Sequence, residues 1–205
     1  MNTLDLFCGT KSFTKEAKKL GYNTYTLDIL EKFEPTFCCD LLEWDYKQFP
    51  RGFFKIIWAS PNCKDYSSLN FLSKKVKDLT LSNQLVEKTI EIIEYFNPDY
   101  WYIENPQSGS LKDQDCMTLN YMPFNDIDYC KYGFDYRKRT RIWNDNPNWT
   151  GNHLCKGEHR CSQKKKTNKH VNFRWITRGA GTTSRWEERI KIPEDLMRQI
   201  LLASV

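Results

Sequence analysis

A thiol, a carboxyl and a pair of guanidinium groups stand at the edges of apolar runs in this sequence. Cys63 follows Ile56-Ile57-Trp58-Ala59 and the turn-forming Ser60-Pro61-Asn62; Glu104 closes a second run in Ile103-Glu104-Asn105-Pro106; Arg139 and Arg141 flank Thr140 farther on. A thiol becomes a strong nucleophile once deprotonated. A carboxyl holds or donates a proton at a ring nitrogen, and arginine hydrogen-bonds a carbonyl oxygen or a phosphate. These are the parts needed to add to a pyrimidine ring and take up the charge that addition develops. They point to cytosine chemistry.

The elements that must position them read as alternating strands and helices. Thr3 to Phe7, Asn23 to Asp28, Phe37 to Asp40 and Phe53 to Ala59 are strand-like, and Phe13 to Leu20 has helical spacing. Leu81, Leu85, Val86, Ile90, Ile93 and Phe96 fall on one helical face before Pro98 and the strand Tyr100 to Ile103. Short apolar strands separated by helices predict an α/β fold with a doubly wound, mostly parallel, Rossmann-like sheet. The first loop, Leu4 to Phe13 with Gly9 inside it, links strand to helix where such folds bind nucleotide-like ligands. Gly9 is equally the residue of an ordinary tight turn. Asp28 ends the second strand, where a carboxylate accepts hydrogen bonds from ribose hydroxyls, and Asp40 ends the third, where it can accept from an amine.

Beyond Trp143 the chain is rich in Asn, Pro, Trp, Cys, His and Lys, with no clear period until Pro193 opens a last helix ending near Leu202. The expected organisation is a catalytic domain over 1–143, an irregular insert over 144–185, and a C-terminal segment over 186–205 whose helix packs back on the first domain. The whole is 205 residues, enough for one good core. A net charge of +5 is compatible with a polyanionic partner without requiring one. No stretch reaches about eighteen apolar residues, and Met1-Asn2-Thr3 leads into a strand without a basic and apolar leader. The expectation is a soluble, intracellular protein, with no membrane partner, in the cytoplasm or at a host nucleoid or nucleus. The 8 cysteines are unevenly spread, which favours free thiols and perhaps a metal site over a disulfide scaffold.

In order along the chain, Asp5-Leu6-Phe7-Cys8-Gly9, Asp28-Ile29, Asp40-Leu41, Ser60-Pro61-Asn62-Cys63, Glu104-Asn105, Tyr132-Gly133 and Arg139-Thr140-Arg141-Ile142-Trp143 resemble the motifs of the cytosine-C5 DNA methyltransferases. The resemblance implies S-adenosylmethionine in the first-loop cleft, held by Asp5, Phe7, Cys8, Gly9, Thr10, Asp28, Ile29, Asp40, Leu41 and Pro61. Phe7 and Ile29 would pack on the adenine, Asp28 would take the ribose and Asp40 the amino group. It implies Cys63 as nucleophile at C6, Glu104 at N3, Arg141 at O2, and Arg139 orienting neighbouring groups or phosphate. A base must leave the duplex to be attacked in this way. Lys64, Ser67, Lys74, Lys75 and, in the insert, Lys165 are the expected DNA contacts. The lysines read equally well as a solvated face.

The pattern departs from the family at Asn62, where proline usually precedes the nucleophile, and at Lys11-Ser12, where a glycine pair is usual. Phe134 to Lys138 replaces the usual proline and glutamine pattern. The chain after the arginines is too short for a conventional target-recognition domain. Sequence specificity should therefore be short, relaxed or supplied by another protein, as in compact viral or phage forms. Within the insert, Cys155, Cys161 and His170, joined by Cys130, form the preferred set for a structural zinc ion, beside His153 and His159. A polar insert with unliganded thiols is an equal reading. A catalytically weak or inactive subunit that binds nucleic acid or regulates a partner enzyme, and an RNA cytosine methyltransferase, are the alternatives to the main reading.

Overall fold

In the computed structural model, which describes residues 1–67, 78–156 and 183–205, the alternating runs form a seven-stranded sheet. The strands are β1 (Asn2–Leu6), β2 (Asn23–Asp28), β3 (Phe37–Cys38), β4 (Ile56–Ala59), β5 (Tyr100–Pro106), β6 (Phe124–Asp128) and β7 (Arg139–Asn144). Their order is β3-β2-β1-β4-β5-β7-β6. The first five run parallel, and β7 lies antiparallel to both β5 and β6. The order reverses between β1 and β4, so the loops after these strands open a crevice at the carboxyl edge. Both loops carry predicted site residues.

The helices are α1 (Ser12–Lys19), α2 (Thr80–Phe96), the short α3 (Asp115–Thr118), α4 (Thr183–Ile190) and α5 (Glu194–Leu202). All four residues of β4 are buried, as expected of a strand covered on both faces, and its side chains alternate between two apolar layers. Ile57 and Ala59 join Val86, Ile93 and Phe96 of α2, whereas Ile56 and Trp58 join Phe13 and Ala17 of α1 with Leu196, Met197 and Ile200 of α5. Among the described residues no helix is long and apolar enough to cross a membrane.

Several boundaries differ from those read in the sequence. The first strand stops at Leu6 because Phe7 turns into the left-handed region at φ 58°. The third stops at Cys38, which leaves Asp40 beyond the strand with Oδ1 accepting from the Leu42 N–H at 2.9 Å. The fourth starts at Ile56, while Phe53 and Phe54 pack into an aromatic group with Tyr25 and Phe49. Helix α4 and edge strand β6 were not anticipated. The opening of the predicted insert is tied to the sheet: Trp149 is buried edge-on against Tyr102, and Asn146 Nδ2 donates to the Tyr102 hydroxyl at 2.7 Å and to the Ala203 carbonyl at 3.0 Å.

Candidate active site

The loop after β1 is a chain of left-handed residues, Phe7, Gly9 and Lys11, held by two carboxylates from below. Asp5, inside β1, accepts from the Thr14 hydroxyl at 2.6 Å and the Thr14 N–H at 3.3 Å, and so satisfies an unpaired donor at the start of α1. Burial pushes its carboxyl up to about 7 against those hydrogen bonds, with Asp28 adding to the rise. Asp28 accepts from the Gly9 N–H at 2.9 Å through one oxygen and from the Leu30 N–H at 2.9 Å through the other. Cys8 is buried, and burial holds its thiol well above its ordinary range.

The two departures in this loop have local explanations. Lys11 turns its ammonium away to the Glu34 carbonyl at 2.6 Å. Ser12 Oγ accepts the Ile192 N–H at 3.1 Å, which joins the loop to the segment before α5. Gly9 is favoured twice, by its φ of +44° and because a Cβ there would stand 3.2 Å from Ile190 Cδ1, which would have to give way by a few tenths of an ångström.

These residues fit S-adenosylmethionine. Ile29 is 65% exposed, an apolar side chain left open directly beside the Asp28 carboxylate. That is the juxtaposition an adenosine needs, a flat apolar support next to an acceptor for ribose. Thr10 lies at the mouth of the same loop, its hydroxyl 3.3 Å from that of Ser12. Leu41, in contrast, is a core residue at 2% exposure, and Asp5 faces Thr14, so both lie behind the loop and not at its surface.

Cys63 follows β4. Ser60 N–H bonds the Leu6 carbonyl at 3.2 Å, and the buried Pro61 offers its carbonyl to Asn105 Nδ2 at 3.0 Å. Asn62 Oδ1 accepts the Lys64 N–H at 3.0 Å, an Asx turn that supplies by hydrogen bonding some of the stiffness a proline gives through its ring. The Cys63 thiol is half-buried. Burial raises it, the Lys138 ammonium lowers it, and the Glu104 carboxyl raises it again.

Glu104 is buried next to Asn105 at the end of β5, beside β4. The Tyr129 hydroxyl donates to its Oε1 at 2.9 Å, and Lys138 Nζ lies 3.7 Å from the same oxygen. Tyr129 is fully buried, and its phenol is held well above its ordinary range, by burial first and the Glu104 charge second.

Arg139 and Arg141 project from β7 toward β6. Arg139 Nε and Nη2 bond Asp128 at 3.1 and 2.8 Å; Arg141 Nε and Nη2 bond Asp126 at 2.8 and 2.9 Å. Each arginine stands directly opposite its carboxylate in the antiparallel register, and the Arg141 guanidinium also lies 3.5 Å from the centre of the Phe124 ring. The register sets Arg141 against Asn105 and Ile142 against Glu104. The arginine side chains therefore leave β7 on the face away from Glu104, and Lys138 belongs by alternation to the Glu104 face.

Lys64 is exposed and Ser67 half-buried on the loop after Cys63, with the Ser67 N–H bonded to the Lys64 carbonyl at 3.4 Å. Lys74, Lys75, Lys165, Cys161 and His170 lie outside the described residues. Cys130 and Cys155 are buried in contact with each other, and the Cys155 N–H donates to Asp128 at 2.9 Å. Among the described residues no group of three or more His, Cys, Asp or Glu side chains is placed to hold a metal ion.

Sequence reasoning did not single out Tyr129, Lys138, Asp126 or Asp128. For the two aspartates a signal existed: Asp126-Ile127-Asp128 and Arg139-Thr140-Arg141 have the same period-two spacing with opposite charge. Lys138 sits between Arg137 and Arg139, and nothing local sets it apart.

No family model matches the chain. A probable DNA (cytosine-5)-methyltransferase of Frog virus 3 (isolate Goorha) is 32% identical over 221 residues, spanning 98% of this chain and 99% of the viral one. Among solved structures, a putative DNA modification methyltransferase encoded within an E. coli prophage superposes with a TM-score of 0.55 at 12% identity, over 88% of this chain and 55% of its own length. The Entamoeba histolytica methyltransferase EhMeth superposes with a TM-score of 0.55 at 16% identity, and S. pombe Dnmt2 with 0.53 at 14%, each over 90% of this chain and 62% of its own. The chain thus spans little more than half the length of these solved relatives, which share its Rossmann-like fold, while the viral relative matches it almost end to end. The chain belongs to the DNA (cytosine-5)-methyltransferase family.

Proposed function

We propose that the protein transfers a methyl group from S-adenosylmethionine to C5 of cytosine in DNA, through a covalent adduct of Cys63 at C6 of a base turned out of the helix, with short or relaxed sequence specificity. The observation that carries this reading is the Asn105–Pro61 hydrogen bond, which joins the Cys63 loop to the strand end bearing Glu104. Asp28 and Ile29 lie across the same edge of the sheet.

Cytosine C5 is too poor a nucleophile to accept a methyl group unaided. Attack of the Cys63 thiolate forms a C–S bond at C6 and moves electron density into the ring. Glu104 holds a proton at N3 and absorbs the charge that develops there. Asp28, Ile29 and Phe7 would hold S-adenosylmethionine, whose sulfonium would supply the methyl group that bonds to C5 and would leave as the neutral thioether, S-adenosylhomocysteine. Loss of the C5 proton to solvent and departure of the thiolate then restore the aromatic ring and the enzyme. Arg141, oriented by Asp126, is the proposed contact for O2, and Arg139, oriented by Asp128, the one for neighbouring groups or phosphate. Since they leave the face away from Glu104, the base would sit at the start of β7, reached by the Nη1 groups that make no hydrogen bond among the described residues.

Lys64 and Ser67, with Lys74, Lys75 and Lys165, are proposed for the phosphates, and a second protein would supply any longer recognition sequence. Zinc bound by Cys130, Cys155, Cys161 and His170 remains part of the proposal, supported by the contact of the first two thiols. Metal analysis of untreated protein tests it, and absence of bound zinc ends it.

The function is tested by expressing the protein in a host without cytosine methylation and analysing digested DNA and RNA nucleosides by mass. Appearance of 5-methylcytosine in DNA with the native protein, and not with Cys63→Ser, is expected. Equal methylation by the variant overturns the mechanism, and product in RNA alone overturns the substrate.

A further inference from the structure

We propose that Lys138 is a positioning residue of the active site: its ammonium, with the Tyr129 hydroxyl, fixes Glu104 through a single oxygen and sets a positive charge beside the Cys63 thiol. This rests on the reading of Cys63 and Glu104 given above.

Lys138 immediately precedes β7, and its carbonyl accepts the Tyr129 N–H at 3.1 Å, so the backbones of the two residues are locked together. Its side chain is only 12% exposed. Lysines ordinarily keep the ammonium in water, and withdrawing one is unfavourable unless partners replace the solvent. Here the partners surround it. Nζ lies 3.7 Å from Glu104 Oε1, 4.8 Å from the centre of the Tyr129 ring and 3.4 Å from the Arg189 carbonyl. A carboxylate, an aromatic face and a carbonyl each stabilise a partly withdrawn ammonium.

The arrangement at Glu104 is one-sided. Both the Tyr129 hydroxyl and Lys138 address Oε1, and among the described residues Oε2 makes no hydrogen bond. A carboxyl held by one oxygen with the other left available is what a group needs to meet a ring nitrogen in fixed geometry.

The thiol feels the same ammonium. Burial is the largest influence raising Cys63, Lys138 is the main one opposing it, and Glu104 works against Lys138. Without Lys138, the influence of Glu104 on the Cys63 thiol would lose the ammonium that opposes it. The arginines do not replace it, because each already faces its own aspartate.

The test is the pH dependence of Cys63 alkylation by iodoacetamide, followed by peptide-resolved mass spectrometry on the full chain without DNA or cofactor. Lys138→Gln is expected to raise the midpoint by about one pH unit, in line with loss of a nearby opposite charge. Lys138→Arg should restore most of the shift, and Glu104→Gln should lower the midpoint. Lys138→Met, which keeps the apolar stem over Tyr129, serves if the glutamine variant does not fold. A midpoint in Lys138→Gln or Lys138→Met equal to that of the native protein, with an unchanged melting temperature, overturns the proposal. Alkylation needs no methyl transfer, so a protein that methylates nothing yet shows the shift would refute the proposed function and leave the role of Lys138 standing.

Discussion

Asn105 and Pro61, distant in sequence, are joined by a hydrogen bond of 3.0 Å from the amide Nδ2 to the prolyl carbonyl, and both residues are buried. The thiol loop is thereby pinned to the strand that carries Glu104. Asn105→Ala leaves that carbonyl without its partner, at a cost of about 1–3 kcal/mol. The expected result is a lower melting temperature together with faster alkylation of Cys63 as its loop loosens. A variant with native stability and native alkylation would show that the pin does not hold the loop.

The Asp5 carboxyl predicts an unusual pH dependence. Its folded value, raised to about 7 from an ordinary 3.8, means that the native state binds the proton more tightly than the unfolded chain. Stability therefore falls as pH rises through that window, by on the order of 4 kcal/mol if Asp5 acted alone. Asp5→Asn keeps an acceptor for Thr14 and removes the titration. Urea unfolding at pH 4.5 and 7.5 should show a smaller loss for the variant, and an equal loss would locate the dependence elsewhere.

On the cofactor side, Ile29→Ser should weaken S-adenosylmethionine binding by about tenfold, the effect of losing one apolar side chain from a contact. Because Ile29 is 65% exposed, its melting temperature without cofactor should not change. Asp28→Ala should weaken binding at least as much and also lower stability, since the Gly9 and Leu30 N–H groups lose their acceptor. Calorimetric titration separates the two outcomes, and native affinity in Ile29→Ser would remove it from the site.

The two cross-strand pairs should differ in worth. Asp128 is fully buried and holds both Arg139 and the Cys155 N–H, whereas the Asp126 side chain is 21% exposed and pairs with Arg141. Asp128→Ala should cost about 3 kcal/mol or more, because an arginine and a buried N–H are left unpaired. Asp126→Ala should cost clearly less. Denaturant titration of both variants decides the ranking.

What the sequence disclosed follows the range of the interactions involved. Strand β4 and helix α2 are legible because a continuous apolar run and a helical stripe are local signals, and Cys63 and Glu104 follow from standing where such runs end. Strand β6 is hidden because Phe124-Asn125-Asp126-Ile127-Asp128 is half polar, and its carboxylates become intelligible only opposite the arginines of β7. Tyr129 and Lys138 are hidden for another reason. Their meaning depends on Glu104 arriving from a different strand, which no window along the chain contains.

The contact of Ser12 with Ile192 bears on the order in which the molecule can be assembled. Gly9 against Ile190 and Lys32 against Glu187, 3.5 Å apart, repeat the same long-range closure. A nascent chain can pair β1 with β2 early, yet the rim of the loop after β1 is finished only when a segment 180 positions farther along the chain returns to it. Such closures across long stretches of chain are late and slow steps in folding. A cofactor that binds only the closed rim would then act as a clamp on the final docking step and hold the whole polypeptide folded.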